Sequence, residues 1–227
     1  MHAVIVAGST LDGPLDPEAL ARADLLIAAD GGADAIEAAG LLPHLLVGDL
    51  DSIGTDTHHA FAEAGVETVV FPAAKDETDS EIALRAAVQR GADTITVYGA
   101  LGGPRLDHLL GVVLLLTADW LQGVDVRLVD QRQKIYLAGG DRVVAGAVGD
   151  LVSLLPLTPV VEDIHTEGLL YPLCGEALRQ GAARGVSNEL VVPRAWITHG
   201  FGRLLVTHFR GEHAAVTDEN AQRKELP

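Results

Sequence analysis

Cysteine is almost absent. Cys174 stands alone in 227 residues, so neither an internal disulfide nor a multi-cysteine zinc site can form. A reducing, cytoplasmic setting is the expectation, and the nine histidines leave only histidine–carboxylate metal ligation open. Positive charge is scarce too: 16 Lys and Arg face 32 Asp and Glu, a formal net charge of −16 at pH 7. That balance argues against broad attraction to phosphate backbones, so no nucleic-acid partner is expected. Long apolar runs are missing. The longest, Leu109 to Leu116, falls far short of the about 20 residues that cross a bilayer and reads as a buried helix. Met1 to Gly8 is apolar for too short a stretch and lacks the basic start of a secretory leader, so neither export nor a membrane partner is expected. There is no repeat of domain-building length and no low-complexity segment.

What remains is a globular composition, 48% hydrophobic and 21% charged, long enough for one large domain or two small ones. In the first half, short β-rich runs alternate with Ala- and Leu-rich helical patterns, the signature of parallel strands joined by helices. The strands are expected at 3–7, 25–28, 45–47, 68–71, 94–98 and 126–129, and the helices at 17–23, 33–39, 57–64, 80–90 and 106–121. Gly40, Gly65 and Gly91 serve as helix stops. After Asp130 the helical periodicity fades, and short Val-, Leu- and Thr-rich runs at 142–144, 151–155, 189–192 and 203–209 predict an all-β unit. The polar stretch Gln131 to Lys134 reads as the connection, and the tail from Glu212 is polar. The expected fold is a three-layer α/β domain with a mostly parallel sheet over residues 1–130, followed by a β-sandwich over 131–227.

Four polar clusters fall where predicted strands end. In Gly48-Asp49-Leu50-Asp51-Ser52 the two aspartates are two apart in extended chain and project to the same side. Like charges so close raise a carboxyl pKa unless a cation intervenes, and Mg²⁺ prefers such hard oxygen ligands together with phosphate and water. The blander reading is an Asp- and Ser-rich turn. In Lys75-Asp76-Glu77-Thr78-Asp79-Ser80-Glu81, Thr78 and Glu81 have capping-box spacing, while Asp76 and Asp79 remain as extra acids that either favour the helix start or face a ligand. Lys75 adds the cation expected if a phosphate chain and its metal share the pocket.

The other two clusters are glycine-rich. Asp30-Gly31-Gly32-Ala33 places paired glycines where backbone amides can approach a ligand. In Gly102-Gly103-Pro104-Arg105-Leu106-Asp107-His108, Pro104 suits the first helical position and Arg105 offers a planar fork to phosphoryl oxygens or to a nearby Asp. Neither segment is a P-loop or a dinucleotide fingerprint.

In this order and spacing the four strings resemble the thiamine pyrophosphokinases. The resemblance continues through Ser153-Leu154-Leu155-Pro156-Leu157, Thr166 to Leu173 and Gly185-Val186-Ser187-Asn188-Glu189, and so spans nearly the whole chain. It implies transfer of a pyrophosphoryl group from ATP to the hydroxyethyl group of thiamine, giving thiamine diphosphate and AMP. It also implies a requirement for Mg²⁺, a catalytic α/β domain, a thiamine-binding β-sandwich and a homodimer with thiamine near the subunit interface. Asp49 and Asp51 match the family's metal-binding D-x-D, and Asp79 the second aspartate of its D-x-T-D pattern, so these three are the expected catalytic and metal-holding residues. Asp30, Gly31, Lys75, Asp76, Thr78, Gly102, Gly103 and Arg105 are expected on the ATP side, with Asp30 near the nucleotide or metal. Asp107, His108, Ser187 and Asn188 are expected on the substrate side.

Two departures stand out: Pro104 interrupts the usual Gly-Gly-Arg string, and Val112 occupies a position where the family often carries Asn. Two other function classes compete. One is a haloacid-dehalogenase-type phosphohydrolase, suggested by Asp49-Leu50-Asp51-Ser52 but lacking that class's later carboxylate pair. The other is a noncatalytic nucleotide or thiamine sensor, disfavoured because all the expected acids are present.

Overall fold

The structure, a computed structural model, describes residues 1–72, 76–139 and 142–211. It divides into two compact units, Met1–Gln131 and the residues from Arg132 onward.

The first unit is built on six parallel strands: β1 (His2–Val6), β2 (Leu25–Ala29), β3 (Leu45–Gly48), β4 (Glu67–Val70), β5 (Thr94–Tyr98) and β6 (Asp125–Val129). Their order is β6-β5-β1-β2-β3-β4. All five residues of β2 are buried, as expected of a strand covered on both faces. On one face Val4, Val6, Leu26, Ala28 and Leu46 meet Leu20, Ala33, Ile36 and Phe61. These last four come from helices α1 (Pro17–Ala21), α2 (Gly32–Ala38) and α3 (Thr55–Glu63). On the other face, α4 (Asp79–Gln89) packs against β1, β2 and β3 and touches α5 (Leu106–Leu115). The unit is therefore a three-layer α/β domain. Its chain order reverses at β1, between β2 on one side and β5 on the other, and open sheets of this kind bind ligands outside the carboxyl ends of their strands.

The helix expected at 106–121 is shorter, closing at Leu115 and followed by a short 3₁₀ turn, Asp119–Leu121. Nor is it buried all round: Val112 and Leu116 are, but Leu106, Leu110 and Leu114 are 65%, 52% and 58% exposed. A helix of nearly uniform apolarity does not announce which face meets the sheet, and only one can. Pro104 lies ahead of the N-cap, Arg105, rather than at the first helical position. No helix among the described residues is long and apolar enough to cross a membrane.

The second unit holds two antiparallel four-stranded sheets. One runs in the order β12 (Asn188–Glu189), β9 (Leu151–Pro156), β14 (Leu204–Phe209), β7 (Gln133–Ala138). The other runs β11 (Cys174–Arg179), β10 (Val160–Glu167), β13 (Arg194–Thr198), β8 (Arg142–Ala145). Their inner faces share a core that includes Tyr136, Val152, Leu154, Ile164, Leu178, Ile197 and Val206, which makes a β-sandwich. Gln133 and Lys134, expected in a connection, already belong to β7. The run expected as a strand at 189–192 forms only the short strand Asn188–Glu189, followed by an isolated antiparallel bridge from Leu190 to Leu169. The tail from Glu212 lies outside the described residues.

Candidate active site

Parallel strands bring their carboxyl ends to one edge, so the segments that follow β2, β3, β4 and β5 gather there. Asp30 follows β2 directly, at φ +50°, its backbone N–H bonded to the Val47 carbonyl of the neighbouring strand at 2.8 Å. Asp49 and Asp51 follow β3. The loop between them turns through Leu50 at φ +67° and closes with the Asp51 N–H donating to Asp49 Oδ1 at 3.2 Å. Carboxylate oxygens of Asp30, Asp49 and Asp51 all lie within 4.8 Å of one another.

The donor chemistry of this cluster fits a hard divalent cation. Ser52 Oγ donates to Asp30 Oδ2, while Asp30 Oδ1 is buried and meets no hydrogen-bond donor among the described residues. An unpartnered buried carboxylate oxygen is costly unless a cation or proton satisfies it. The Asp51 carboxyl is raised above its ordinary value, first by a hydrogen bond with Asp49, then by the negative charge of Asp49, with burial, Asp30 and Asp79 adding to it. Crowded carboxylates of this kind are relieved by Mg²⁺, which takes oxygen ligands and keeps water or phosphate in its remaining positions.

Asp79 opens α4 and is near enough to act electrostatically on Asp51, while the triad of close oxygens is completed by Asp30. Thr78 is the N-cap of α4, its hydroxyl accepting from the Glu81 N–H at 3.2 Å, and the Glu81 carboxylate takes Arg85 at 2.8 Å. The expected capping role of Thr78 is thus realised. Asp76 is exposed just ahead of it, and Lys75 lies outside the described residues.

The glycines divide by task. A Cβ on Gly32 would sit 2.0 Å from the Val6 carbonyl oxygen, and one on Gly102 1.8 Å from that of Thr10, so both are required by close packing of backbone on backbone. Gly31 lies beside Ser52, and Gly103 is exposed. After β5, Arg105 holds Asp107 in a fork, Nε to Oδ1 at 2.9 Å and Nη2 to Oδ2 at 2.6 Å, with both side chains largely exposed. The guanidinium holds the Asp107 carboxyl far below the usual carboxylate range. His108 is exposed in the first turn of α5.

In the second unit, Ser187 is exposed at φ +59°, its N–H held by Ser153 Oγ at 3.0 Å. Asn188 is buried and spends its amide on Tyr171: Oδ1 accepts from the Tyr171 N–H at 2.9 Å and Nδ2 donates to the Tyr171 carbonyl at 2.7 Å. Leu154, Tyr171, Pro172, Leu173, Arg184, Gly185, Val186 and Asn188 line a cavity of about 230 Å³. Tyr171 was legible as an aromatic residue within the family-like string Thr166 to Leu173. Its link to Asn188 depends on strand pairing that local sequence does not encode.

Residues 17–128 match the family described as thiamin pyrophosphokinase, catalytic domain, and residues 142–200 match thiamin pyrophosphokinase, vitamin B1 binding domain. A thiamine pyrophosphokinase of Bacillus subtilis (strain 168) is 29% identical over 184 residues, 80% of this chain and 86% of that protein. The crystal structure of thiamine pyrophosphokinase from Bacillus subtilis superposes with a TM-score of 0.81 at 26% identity, covering 92% of this chain and 99% of that one. That of a thiamin pyrophosphokinase family protein from Enterococcus faecalis gives 0.80 at 29% identity, covering 93% and 100%.

Proposed function

We propose that this chain, which belongs to the thiamin pyrophosphokinase family, transfers the terminal pyrophosphoryl group of ATP to the primary hydroxyl of thiamine in a Mg²⁺-dependent reaction. The observation that carries the reading is the meeting of the Asp30, Asp49 and Asp51 carboxylates at the strand ends, with one Asp30 oxygen buried and unpartnered among the described residues.

Asp30, Asp49 and Asp51 would hold the ion, with Asp79 close by. Bound there, Mg²⁺ supplies charge neutralisation for the phosphate oxygens. Arg105 grips the phosphate chain through the fork it now places on Asp107. The thiamine hydroxyl oxygen bonds to the β-phosphorus as the bridge between the α and β phosphates breaks, and that bridging oxygen leaves on AMP. A neighbouring carboxylate, Asp51 or Asp79, takes the hydroxyl proton. Most of the acceleration comes from positioning, since phosphoryl-type transfer asks little covalent chemistry of the protein.

Ser187 and the Asn188-braced Tyr171 segment supply the thiamine side in the second unit. The same reading includes a homodimer and a cytoplasmic location. The exposed leucines 106, 110 and 114 offer an apolar surface that a second copy can bury.

A coupled assay for AMP, with ATP, Mg²⁺ and thiamine present and each omitted in turn, tests the proposal. AMP that appears only with all three is expected. Phosphate released from simple phosphomonoesters without thiamine, or tight binding of ATP and thiamine with no AMP, would overturn it in favour of a phosphohydrolase or a sensor.

A further inference from the structure

The acids after β3 are only as well placed as the loop that carries them, and residues 48–54 are tied at two points to the junction of β2 and α2. Ser52 Oγ donates to Asp30 Oδ2. Two residues on, the Gly54 N–H lies between both oxygens of Asp34, at 3.1 and 3.2 Å. Asp30 stands just ahead of the N-cap Gly31, at φ +50° with its carbonyl accepting from the Ala33 N–H at 2.9 Å, and Asp34 lies in the first turn of α2. Two acids at the β2–α2 junction therefore hold two positions of the acidic loop. Between β3 and these ties the chain passes through left-handed Leu50, a conformation unfavourable for a branched residue, which persists only where its surroundings enforce it. Leu50 and Ile53 give part of that enforcement by packing against the core under β1, β2 and β3.

Gly54 fits this arrangement. Its φ of −57° is ordinary for any residue, but a Cβ would stand 3.0 Å from Asp34 Oδ1. A side chain there would crowd the carboxylate away from the N–H it accepts.

We infer that Asp34 is a positioning residue for the metal-holding acids: by clamping the far end of the 48–54 loop from α2, it sets the affinity of the Asp30, Asp49 and Asp51 cluster for a divalent ion. The inference rests on the reading of that cluster as a Mg²⁺ seat. The competing role is purely structural, because Gly54 is the N-cap of α3 and has no side chain of its own to cap with, so Asp34 serves as a cap from a neighbouring helix. A cap alone stabilises α3 and leaves ion affinity untouched. An outer partner that orients ion-binding groups typically changes metal affinity by about 10- to 100-fold when removed.

The test compares full-length wild type with Asp34→Ala, Asp34→Asn and Gly54→Ala, using Mn²⁺ binding by electron paramagnetic resonance, thermal melting, and AMP formation against Mg²⁺ concentration. Asp34→Ala is expected to weaken Mn²⁺ binding about 10- to 100-fold while kcat recovers to within a few-fold of wild type at saturating Mg²⁺. Asp34→Asn keeps an amide oxygen for the Gly54 N–H and is expected to bind Mn²⁺ nearly as wild type does. Gly54→Ala, whose backbone angles suit alanine, is expected to weaken binding in the same direction as Asp34→Ala and decides the matter should Asp34→Ala not fold. Unchanged Mn²⁺ affinity in a folded Asp34→Ala or Gly54→Ala protein would overturn the inference alone. Wild type that binds no Mn²⁺ would overturn the reading of the cluster and the inference with it.

Discussion

Asn188 holds the backbone of Tyr171 by both ends of its amide, accepting from the N–H at 2.9 Å and donating to the carbonyl at 2.7 Å, across seventeen residues of chain. A buried amide with three polar contacts, the third from the Glu189 N–H at 2.9 Å, is set in place before any ligand arrives. In the proposed reading it would serve the thiamine side by shaping the Tyr171 and Pro172 wall of the cavity rather than by reaching out of it.

Asn188→Ala is expected to cost about 1–3 kcal/mol of stability, the usual penalty for leaving buried polar groups unpaired. It should also raise the KM for thiamine with little change in that for ATP. Asn188→Asp keeps the acceptor and loses the donor, and should fall between alanine and wild type. Urea denaturation and two-substrate kinetics measure both effects.

Arg105 presents two donors as a fork to Asp107, and in the proposed reading the same fork would grip phosphate oxygens. Arg105→Ala should raise the KM for ATP by about 10- to 100-fold, from the loss of charge-assisted hydrogen bonds, and leave the KM for thiamine nearly unchanged. Arg105→Lys keeps the charge but not the planar fork, so it should recover only part of the loss. Initial rates over ATP concentration at fixed, saturating thiamine provide the check.

A third expectation concerns pH and the second unit. Asp150 is buried and takes three hydrogen bonds, from His208 Nε2 at 2.8 Å, the Gly211 N–H at 3.0 Å and the Ala147 N–H at 3.0 Å. Burial pushes its carboxyl up, but the bonds from His208, Gly211 and Ala147 together push it down by more, so it lies below its ordinary value. The folded state then binds this proton less tightly than the unfolded chain does. The stability it confers is complete above the ordinary carboxylate pKa of about 4 and is lost as pH falls through the lower folded value. Wild type should exceed Asp150→Asn by about 1–3 kcal/mol at pH 7, and the gap should close below about pH 4. Urea titrations from pH 7 to pH 3 would show it, and a gap independent of pH would contradict the assignment.

The centre of the parallel sheet was legible because β1, β2 and β3 are buried on both faces and read as unbroken apolar runs such as Leu25–Ala29. The sandwich was harder. Val160–Glu167 turns Glu162, Asp163, His165 and Glu167 to solvent and carries a bulge around Asp163 at φ +53°, so its sequence reads as a polar loop. Cys174–Arg179 and Arg194–Thr198 are obscured in the same way by their solvent faces. At the site, the closeness of Asp49 and Asp51 was legible in their spacing but arises differently from the extended chain expected: Leu50 at φ +67° and the Asp51 N–H on Asp49 Oδ1 make the segment a turn. The approach of Asp30 was not legible, because it depends on β2 lying beside β3 with Ala28 opposite Leu46 and Ala29 opposite Val47. The brace from Asp34 to Gly54 was invisible for the same reason: nothing near Asp34 in sequence marks a partner twenty residues away.

If carboxylates at the strand ends hold the ion that makes pyrophosphoryl transfer possible, Asp49→Asn removes one of them with the least disturbance to shape. Steady-state AMP formation at saturating ATP, thiamine and Mg²⁺ should fall by about 100-fold or more, since ion-mediated charge stabilisation is worth several kcal/mol, with the melting temperature unchanged. A folded Asp49→Asn protein turning over at close to the wild-type rate would contradict the account.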